Sequence, residues 1–426
     1  MKGGIFKNIW IDSILATAFI FIVIFGLFSL INVFDAIDPV GEALEDVEFN
    51  DIVYSTLRDD PTADDNIILV NIGKLPRAGI AEQIKIINKY NPKVIGVDSF
   101  FPKPKSEEED SALVSALRDA NNLVIASKLE RWNAENVVDS LKLSAEKFNV
   151  HAEDFGFANL IVGEGVNQDD VKTCRSFRPK EPLYTKDSMH LAFAVKLTQY
   201  LAPEKVKRFL ERDNEVEYIN YKGNAFGSES NFPPTFFALD WYDVLNENFV
   251  PEMIEDKIVI LGFLGEQFGD KYNVEDKYYT PLNQKYAGRG APDMYGVVIH
   301  ANIISMILDE DYVYKLEEHY QIILAVLLCY LNVVAFMWVY YALKNWYDGI
   351  TKIVQLIELS LILGAIIYSY HLFNINLELT LAMGVVAVVG DSLEVYNGVV
   401  KNMFTKEGRK ELFSVSKRRT DKVEIN

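Results

Sequence analysis

Cysteine is nearly absent. Cys174 and Cys329 are the whole complement of a 426-residue chain. Cys174 falls in a polar stretch and Cys329 inside a long apolar run. They occupy different environments, so no intrachain disulfide is expected. The folded part must then hold itself together by its core, and Cys174 reads as a buried thiol rather than a reactive one. Other absences narrow the chemistry. No two histidines stand at i and i+4 as in a helical zinc-protease motif. No Ser-His-Asp, Cys-His or phosphate-loop arrangement can be argued, and Gly96 and Gly262 belong to strands or strand ends. The chain is therefore not read as an enzyme, and no catalytic residue, metal or cofactor is expected. Positive charge is also short: the formal net charge is −19. Nucleic-acid binding is excluded for a surface of that sign. There is no internal repeat and no low-complexity segment.

What the chain does have is length of apolar run. Four stretches, 13–33, 320–343, 350–373 and 377–400, are long enough to span a bilayer. The first carries Lys2 and Lys7 on its flank. Its core is longer than a signal peptide's and no clean small-x-small site follows, so it reads as an uncleaved anchor. Orientation follows from lysine and arginine. Residues 1–12, the loop with Lys344 and Lys352, and the basic tail 401–426 fall on one side, while Asn374–Asn376 carries no Lys or Arg. Both termini are therefore expected in the cytoplasm and 34–319 outside. That outer segment holds roughly 51 acidic and 30 basic residues, about −21 in all. Its acidity reads as a solvated surface.

Within 34–319 the pattern alternates. Asn66–Ile72, Lys93–Asp98 and Leu123–Ser127 are short β-branched or apolar runs that read as strands. Ala78–Tyr90 and Ser111–Ala120 between them read as helices. Strand, helix, strand, helix, strand makes parallel crossovers the default. Further on, Phe155–Ile161 and Val171–Phe177 are expected to pair around a turn at Gly163–Gln168. Ser188–Tyr200 and Phe236–Leu245 are expected as helices, and Glu215–Tyr221 and Lys257–Gly262 as strands. An amphipathic helix is expected to about Leu308, ahead of the second span. Phe34–Val47 is expected as an exposed helix. The fold class is thus an α/β extracytoplasmic domain, with a mixed, largely parallel sheet and flanking helices, plus four transmembrane α-helices.

With these residues in view, the chain resembles the CHASE2 family of bacterial extracytoplasmic sensor domains. The resemblance rests on Asp51 with Arg58, on Ile67–Ile72, on Val94-Ile95-Gly96-Val97-Asp98 with Phe101, and on Gly156-Phe157-Ala158-Asn159. It continues through Ile258–Gly262, Thr280-Pro281, and Gly296-Val297 followed by His300-Ala301-Asn302. One span before and three after match the family layout. The resemblance implies a sensory input module in a bacterial inner (cytoplasmic) membrane, with the large domain periplasmic and a small-molecule or peptide cue. It supplies no defined ligand or catalytic residue. About 26 residues follow Val400, too few for an ordinary catalytic domain. Output is therefore expected through a protein partner in trans. The other reading is a non-sensing accessory or scaffold subunit of an envelope transport or secretion complex.

Candidate ligand-binding residues are Asp98, Asp276, Thr280, His300 and Asn302. Asp98 ends a parallel strand, where α/β sheets place ligands. Asp276 and Thr280 lie in a polar loop whose spacing fits no EF-hand. His300 and Asn302 stand at a helix start. Arg77, Arg175 and Arg178 are expected to neutralise nearby carboxylates. Inside the spans, Asn332 and Glu358 are candidates for intramembrane polar contact or a partner's surface. Asp391 is a third, read as lying near the inner interface. The basic tail, with Phe404, Leu412 and Phe413, suits anionic lipid or a cytoplasmic partner.

Overall fold

The computed structural model describes residues 9–34, 51–58, 62–131, 138–149, 155–162, 173–183, 186–226, 234–270, 272–283 and 291–404. The predicted helix at Phe34–Val47 and the turn at Gly163–Gln168 lie outside them. The chain divides into two compact units, one of Met1–Glu45 with Tyr314–Asn426, and one of Asp46–Val313.

The first helix, α1 (Ile9–Phe34), belongs to the membrane unit described below. In the second unit the early strands are β1 (Asp64–Asn71), β2 (Val94–Val97) and β3 (Leu123–Arg131), joined through α2 (Arg77–Lys89) and α3 (Glu107–Asp119). Ser106 begins α3 by accepting the Glu109 N–H, and four acidic residues in its first turn suit the positive end of the helix dipole. After β4 (Val138–Lys142) and β5 (Phe155–Phe157) come three short strands, β6 (Ser176–Phe177), β7 (Lys180–Leu183) and β8 (Lys186–Leu191). Then follow α4 (Phe193–Leu201), α5 (Pro203–Leu210), β9 (Glu217–Tyr218), β10 (Phe236–Leu239), α6 (Trp241–Leu245) and β11 (Ile258–Gly262). The unit closes with β12 (Lys277–Tyr278), β13 (Met294–Tyr295) and α7 (Gly296–Asp309).

The main sheet runs β10-β1-β11-β2-β3, with β4 and β5 both on β3. All its pairings are parallel except β3–β4. Alternation along the strands sends two sets of side chains to two faces. Ile68, Val70, Ile95, Val97, Ile125, Val259 and Leu261 share one core with Ile80 and Ile84 of α2, Leu113 and Leu117 of α3, and Val244 of α6. The other face is shaped to receive α4 and α7 closely. A Cβ at Gly96 would stand 2.8 Å from Leu197, and one at Gly262 would stand 2.7 Å from Val297.

Several expectations need correction. Residues 186–191 form a strand instead of a helix, because they pair with β7 as a hairpin, and the helix starts only at Phe193. Phe236–Leu239 is an edge strand beside β1, and the helix waits for Asp240, which caps it with a reciprocal capping box. Phe155–Phe157 pairs with β3 and Ser176–Phe177 with β9. Among the described residues, a single bridge between Ile161 and Ser176 links the two segments expected to pair. Of Glu215–Tyr221 only Glu217–Tyr218 is strand. α7 is not amphipathic in its surroundings: every residue from Gly296 to Leu308 is buried.

The membrane unit holds α1, α8 (Glu318–Ala342), α9 (Tyr347–Phe373) and α10 (Thr380–Val395), the last continuing to Val400. All four are long and apolar enough to cross a membrane. Ala16, Ile20, Ala325, Cys329, Val385 and Val389 pack inside. Ile353, Leu356, Ile357 and Leu361 point outward, an apolar surface suited to lipid. At one end of the unit, buried Asp12 accepts from Tyr396 Oη at 2.9 Å and pairs with Lys401, which also donates to Tyr341 Oη. At the other, Tyr314–Lys315 pairs with Ile375–Asn376. The chain thus crosses the unit in alternating directions.

Candidate functional site

The sheet order creates two crevices at its carboxyl edge. From β1 and β2 the chain continues to α2 and α3 on one face, whereas from the intervening β11 it continues to α7 on the other. Neighbouring strands whose connections diverge leave an opening at their C-terminal ends, the usual ligand position in open α/β sheets.

The β1/β11 opening is closed by the chain itself. Asn71 is fully buried and uses both ends of its amide. Its Oδ1 accepts from Gly73 N at 2.9 Å and Leu264 N at 2.8 Å, and its Nδ2 donates to Asp240 Oδ1 at 2.8 Å and Gly265 O at 3.0 Å. That network is satisfied and has nothing left to offer.

The β11/β2 opening differs. Asp98 follows β2, and its N–H donates to Leu261 O at 2.8 Å. By alternation its side chain shares the face of Gly96, towards α4 and α7. Asp276 enters from the loop after β11. The β12–β13 pairing brings this residue beside the start of α7, where Gly296 N donates to Asp276 O at 3.0 Å. Its backbone is left-handed, with φ 55°. Both its carboxylate oxygens lie 3.5 Å from the point where a Cβ on Gly296 would stand, and the Tyr278 ring lies 3.2 Å from that point. Among the described residues neither the Asp98 nor the Asp276 carboxylate makes a hydrogen bond or a close ion pair.

The electrostatics tie these groups together. Burial raises Asp98 to about 6, against the opposing charge of Lys128 on β3. Burial raises Asp276 to about 7, reinforced by the Asp98 charge and Glu275 and opposed by Lys128. Asp276 is exposed as a residue, so its crowding lies on the carboxylate side, against Gly296 and Tyr278. Tyr278 is raised by burial first, then by Asp276, Cys174 and Asp98. Two carboxyls more than 170 residues apart in sequence therefore share one field with one lysine and one phenol. Lys128 and Tyr278 were missed by sequence reasoning. The signal for Lys128 was its place just past a predicted parallel strand, the same signal that marked Asp98.

The other predicted residues divide. His300 lies one turn into α7, 3% exposed, its ring edge-on to Phe193 with centroids 5.3 Å apart. Among the described residues its Nδ1 has no hydrogen-bond partner, and burial lowers its pKa to about 4, so the imidazole is neutral. Thr280 is structural: its hydroxyl donates to Asp293 Oδ2 at 2.6 Å, and its N–H to Oδ1 at 2.9 Å. Burial nevertheless raises Asp293 to about 6. Asn302 is a clamp, accepting from Lys222 N and Gly223 N and donating to Gly223 O and Val298 O. Arg77 pairs with Asp110, Arg175 with Asp51, and Arg178 with Glu181 and Glu215. Burial pushes Asp110 upward, but Lys147, Arg77 and the Lys105 N–H overrule it and hold the carboxyl at about 2. A hollow lined by Gln199, Glu204, Lys207 and Glu211 shares no residue with the crevice.

In the membrane unit, Glu358 meets Asn332 across two spans, and its Oε2 has no hydrogen-bond partner among the described residues. Asp391 stands apart in an exposed pair with Lys352 at 2.7 Å. No cluster of three or more His, Cys, Asp or Glu able to hold a metal occurs among the described residues.

Comparison with known proteins adds the family. The CHASE2 domain model, which describes an extracellular sensory domain, matches residues 50–339. No curated protein and no solved structure matches. One family model spans the whole sheet, the crevice, α7 and most of the second span, about two thirds of the chain, and the chain belongs to the CHASE2 domain family.

Proposed function

We propose that this protein is a membrane-anchored sensor of a bacterial inner membrane. Residues 34–319 would lie in the periplasm and both termini in the cytoplasm. It acts without catalysis, through a protein partner in trans. The observation that carries this reading is the course of α7. Its first residue, Gly296, touches Asp276 in the crevice, and its last, Asp309, is five residues from the membrane unit that begins at Tyr314. Between those ends it is buried throughout. A helix packed on all sides moves as a body, so an event at the crevice has a rigid path to the chain entering the second span. The family supports a sensory role. Partner and compartment are the reading added here.

The test is mild-detergent affinity purification of the tagged native protein, with mass spectrometry of what accompanies it. A stoichiometric kinase, cyclase or regulator supports signalling in trans. A stoichiometric transport or secretion complex replaces the sensor with an accessory subunit.

A further inference from the structure

The fourth span does not finish as it begins. Up to Val395 it is an α-helix, gripped by the third span. Gln355 Nε2 donates to Val386 O at 2.7 Å and to Ala387 O at 3.0 Å, and Tyr347 Oη donates to Gly390 O at 2.9 Å. Tyr396–Val400 is then a π-turn, closed by the Lys401 N–H donating to Tyr396 O, and Lys401–Phe404 returns to α-helix. Such a turn amounts to one extra residue inserted into an α-helix. Its consequence is angular. In an α-helix, residues five apart stand about 140° apart around the axis. Across an i→i+5 turn they stand nearly in line, as residues four apart do in an α-helix. Tyr396 and Lys401 are five apart, and both reach one carboxylate, that of buried Asp12 in the first turn of the first span. Lys401 also donates to Tyr341 Oη of the second span at 2.9 Å, and the Tyr396 ring lies 5.9 Å from that of Phe19. A regular α-helix would turn one of the two donors away from Asp12.

The wide turn is opposed from within. Asn397 is 7% exposed, and neither end of its amide has a hydrogen-bond partner among the described residues. A buried amide without partners weighs against the conformation that holds it there. Asp12 favours the π register and Asn397 disfavours it. That opposition is the making of an element with two discrete arrangements.

We propose that Asp12 is a register lock on the fourth span. While its carboxylate holds Tyr396 and Lys401, the π-turn persists. When the first span moves against the fourth and that grip breaks, the turn closes to α. The helix before Tyr396 is fixed by Gln355 and Tyr347, so the change emerges beyond it. The chain from Lys401 onward turns by about 100° and advances by about 1.5 Å. A side chain about 5 Å from the axis is carried by about 8 Å. A movement between spans thus becomes a new face on the chain that leaves the membrane unit, in a form that a partner in trans can read. In that use the lock rests on the sensor reading. The two registers themselves do not.

The experiment uses the full chain in lipid nanodiscs, spin-labelled at Met403→Cys and, in two separate samples, at Trp346→Cys or Ile14→Cys. All three positions are exposed, whereas Cys174 and Cys329 are buried. Pulsed electron–electron double resonance reads the two distances. Asp12→Asn is expected to move at least one of them by about 4 Å or more, a share of the displacement of the rotated side chain. Lys401→Gln breaks the same grip from the other side and is expected to give the same shift. Deleting Asn397 removes the extra residue. Tyr396 and Lys401 then stand four apart in an α-helix and still face Asp12, so the distances keep their wild-type values. Adding Asp12→Asn to the deletion is expected to move nothing further. A merely structural role for Asp12 would instead move the labels equally in both backgrounds. Unchanged distances in the folded Asp12→Asn and Lys401→Gln proteins, or a shift that survives in the Asn397 deletion, overturn the lock. Those results leave the sensor reading standing, because partner capture tests it separately.

Discussion

Asp98→Asn is expected to stabilise the outer unit. Asparagine keeps the shape of the side chain and removes an ionisation that the fold resists. The folded carboxyl titrates at about 6, against an ordinary 3.8. Ionising it therefore destabilises the folded state by roughly 3 kcal/mol. Asp98 is part-exposed, and screening there brings the effect to about 2 kcal/mol. The sign follows from proton uptake. Between pH 4 and pH 6 the folded form binds more protons at this group than the unfolded form. Wild-type stability from Asp98 thus falls as pH rises through that window, and the deficit is complete above pH 6. The variant should match the wild type near pH 4, pull ahead between pH 4 and 6, and hold a constant lead at pH 7.5. Loss of the Asp98 charge also removes one cause of the raised Asp276 carboxyl, which adds in the same direction. The assay is a pH series of melting curves on the full chain in nanodiscs, read from the near-ultraviolet signal of the outer unit. A variant less stable than wild type at pH 7.5, or a lead that does not change with pH, would refute the electrostatic account of the crevice.

Three further outcomes test other parts of the structure. Asn302→Ala should cost about 3 kcal/mol or more, since it strands the backbone groups of Lys222 and Gly223 inside the core, and denaturant midpoints will show it. Gly156→Ala should cost about 3 kcal/mol, because its Cβ would lie 2.5 Å from Phe193 Cα, and backbone cannot step aside. Gly79→Ala, whose new methyl meets only the Leu75 side chain at 3.1 Å, should stay within about 1 kcal/mol of wild type in the same measurement. Cys174 is fully buried and burial pushes its thiol up to about 12, so maleimide should label it only after denaturation.

The parallel core was legible because its signal is local. Ile67–Ile72, Val94–Val97 and Ile258–Gly262 are β-branched runs bounded by glycine, proline or acid, and each became a strand of the sheet. Asp98 was singled out for a related reason: it stands just past such a run, at the carboxyl end of a parallel strand. What failed needed partners distant in the chain or hidden in the pattern. Leu191, Ala194, Val195 and Leu197 fit a helical period from Ser188 onward, yet the first part of that stretch was taken by the hairpin with β7. Phe236–Leu239 became a strand only because β1 offers an edge to it. The electrostatic influence of Asp98 on Asp276 was beyond reach, since it requires β11 to insert between β1 and β2. No periodicity records strand order.

That insertion also sets how α7 is held at its two ends. The C-terminal half of α7 is held at several points. Ser305 Oγ donates to Asp64 Oδ2 at 2.6 Å, Lys222 Nζ reaches Asp309 at 2.9 Å and Asp64 at 3.3 Å, and Lys205 donates to Leu308 O. Arg208 pairs with Glu310 just beyond the helix end. The N-terminal end has no side-chain cap and is met by the Asp276 carbonyl and carboxylate, in a loop that β12 ties to β13 with a two-residue ladder. Val297 bears on Gly262 so closely that a single methyl there would clash, so this end cannot move nearer the sheet. Any displacement of this end must therefore run along or around the helix axis. Over about 21 Å of close-packed helix such a motion has little slack in which to dissipate. At the other end the clamps join the helix to β1 and α5, so a displacement would be felt there. The unpaired acids at the N-terminal end weaken the fold at neutral pH, a cost that stability alone would remove.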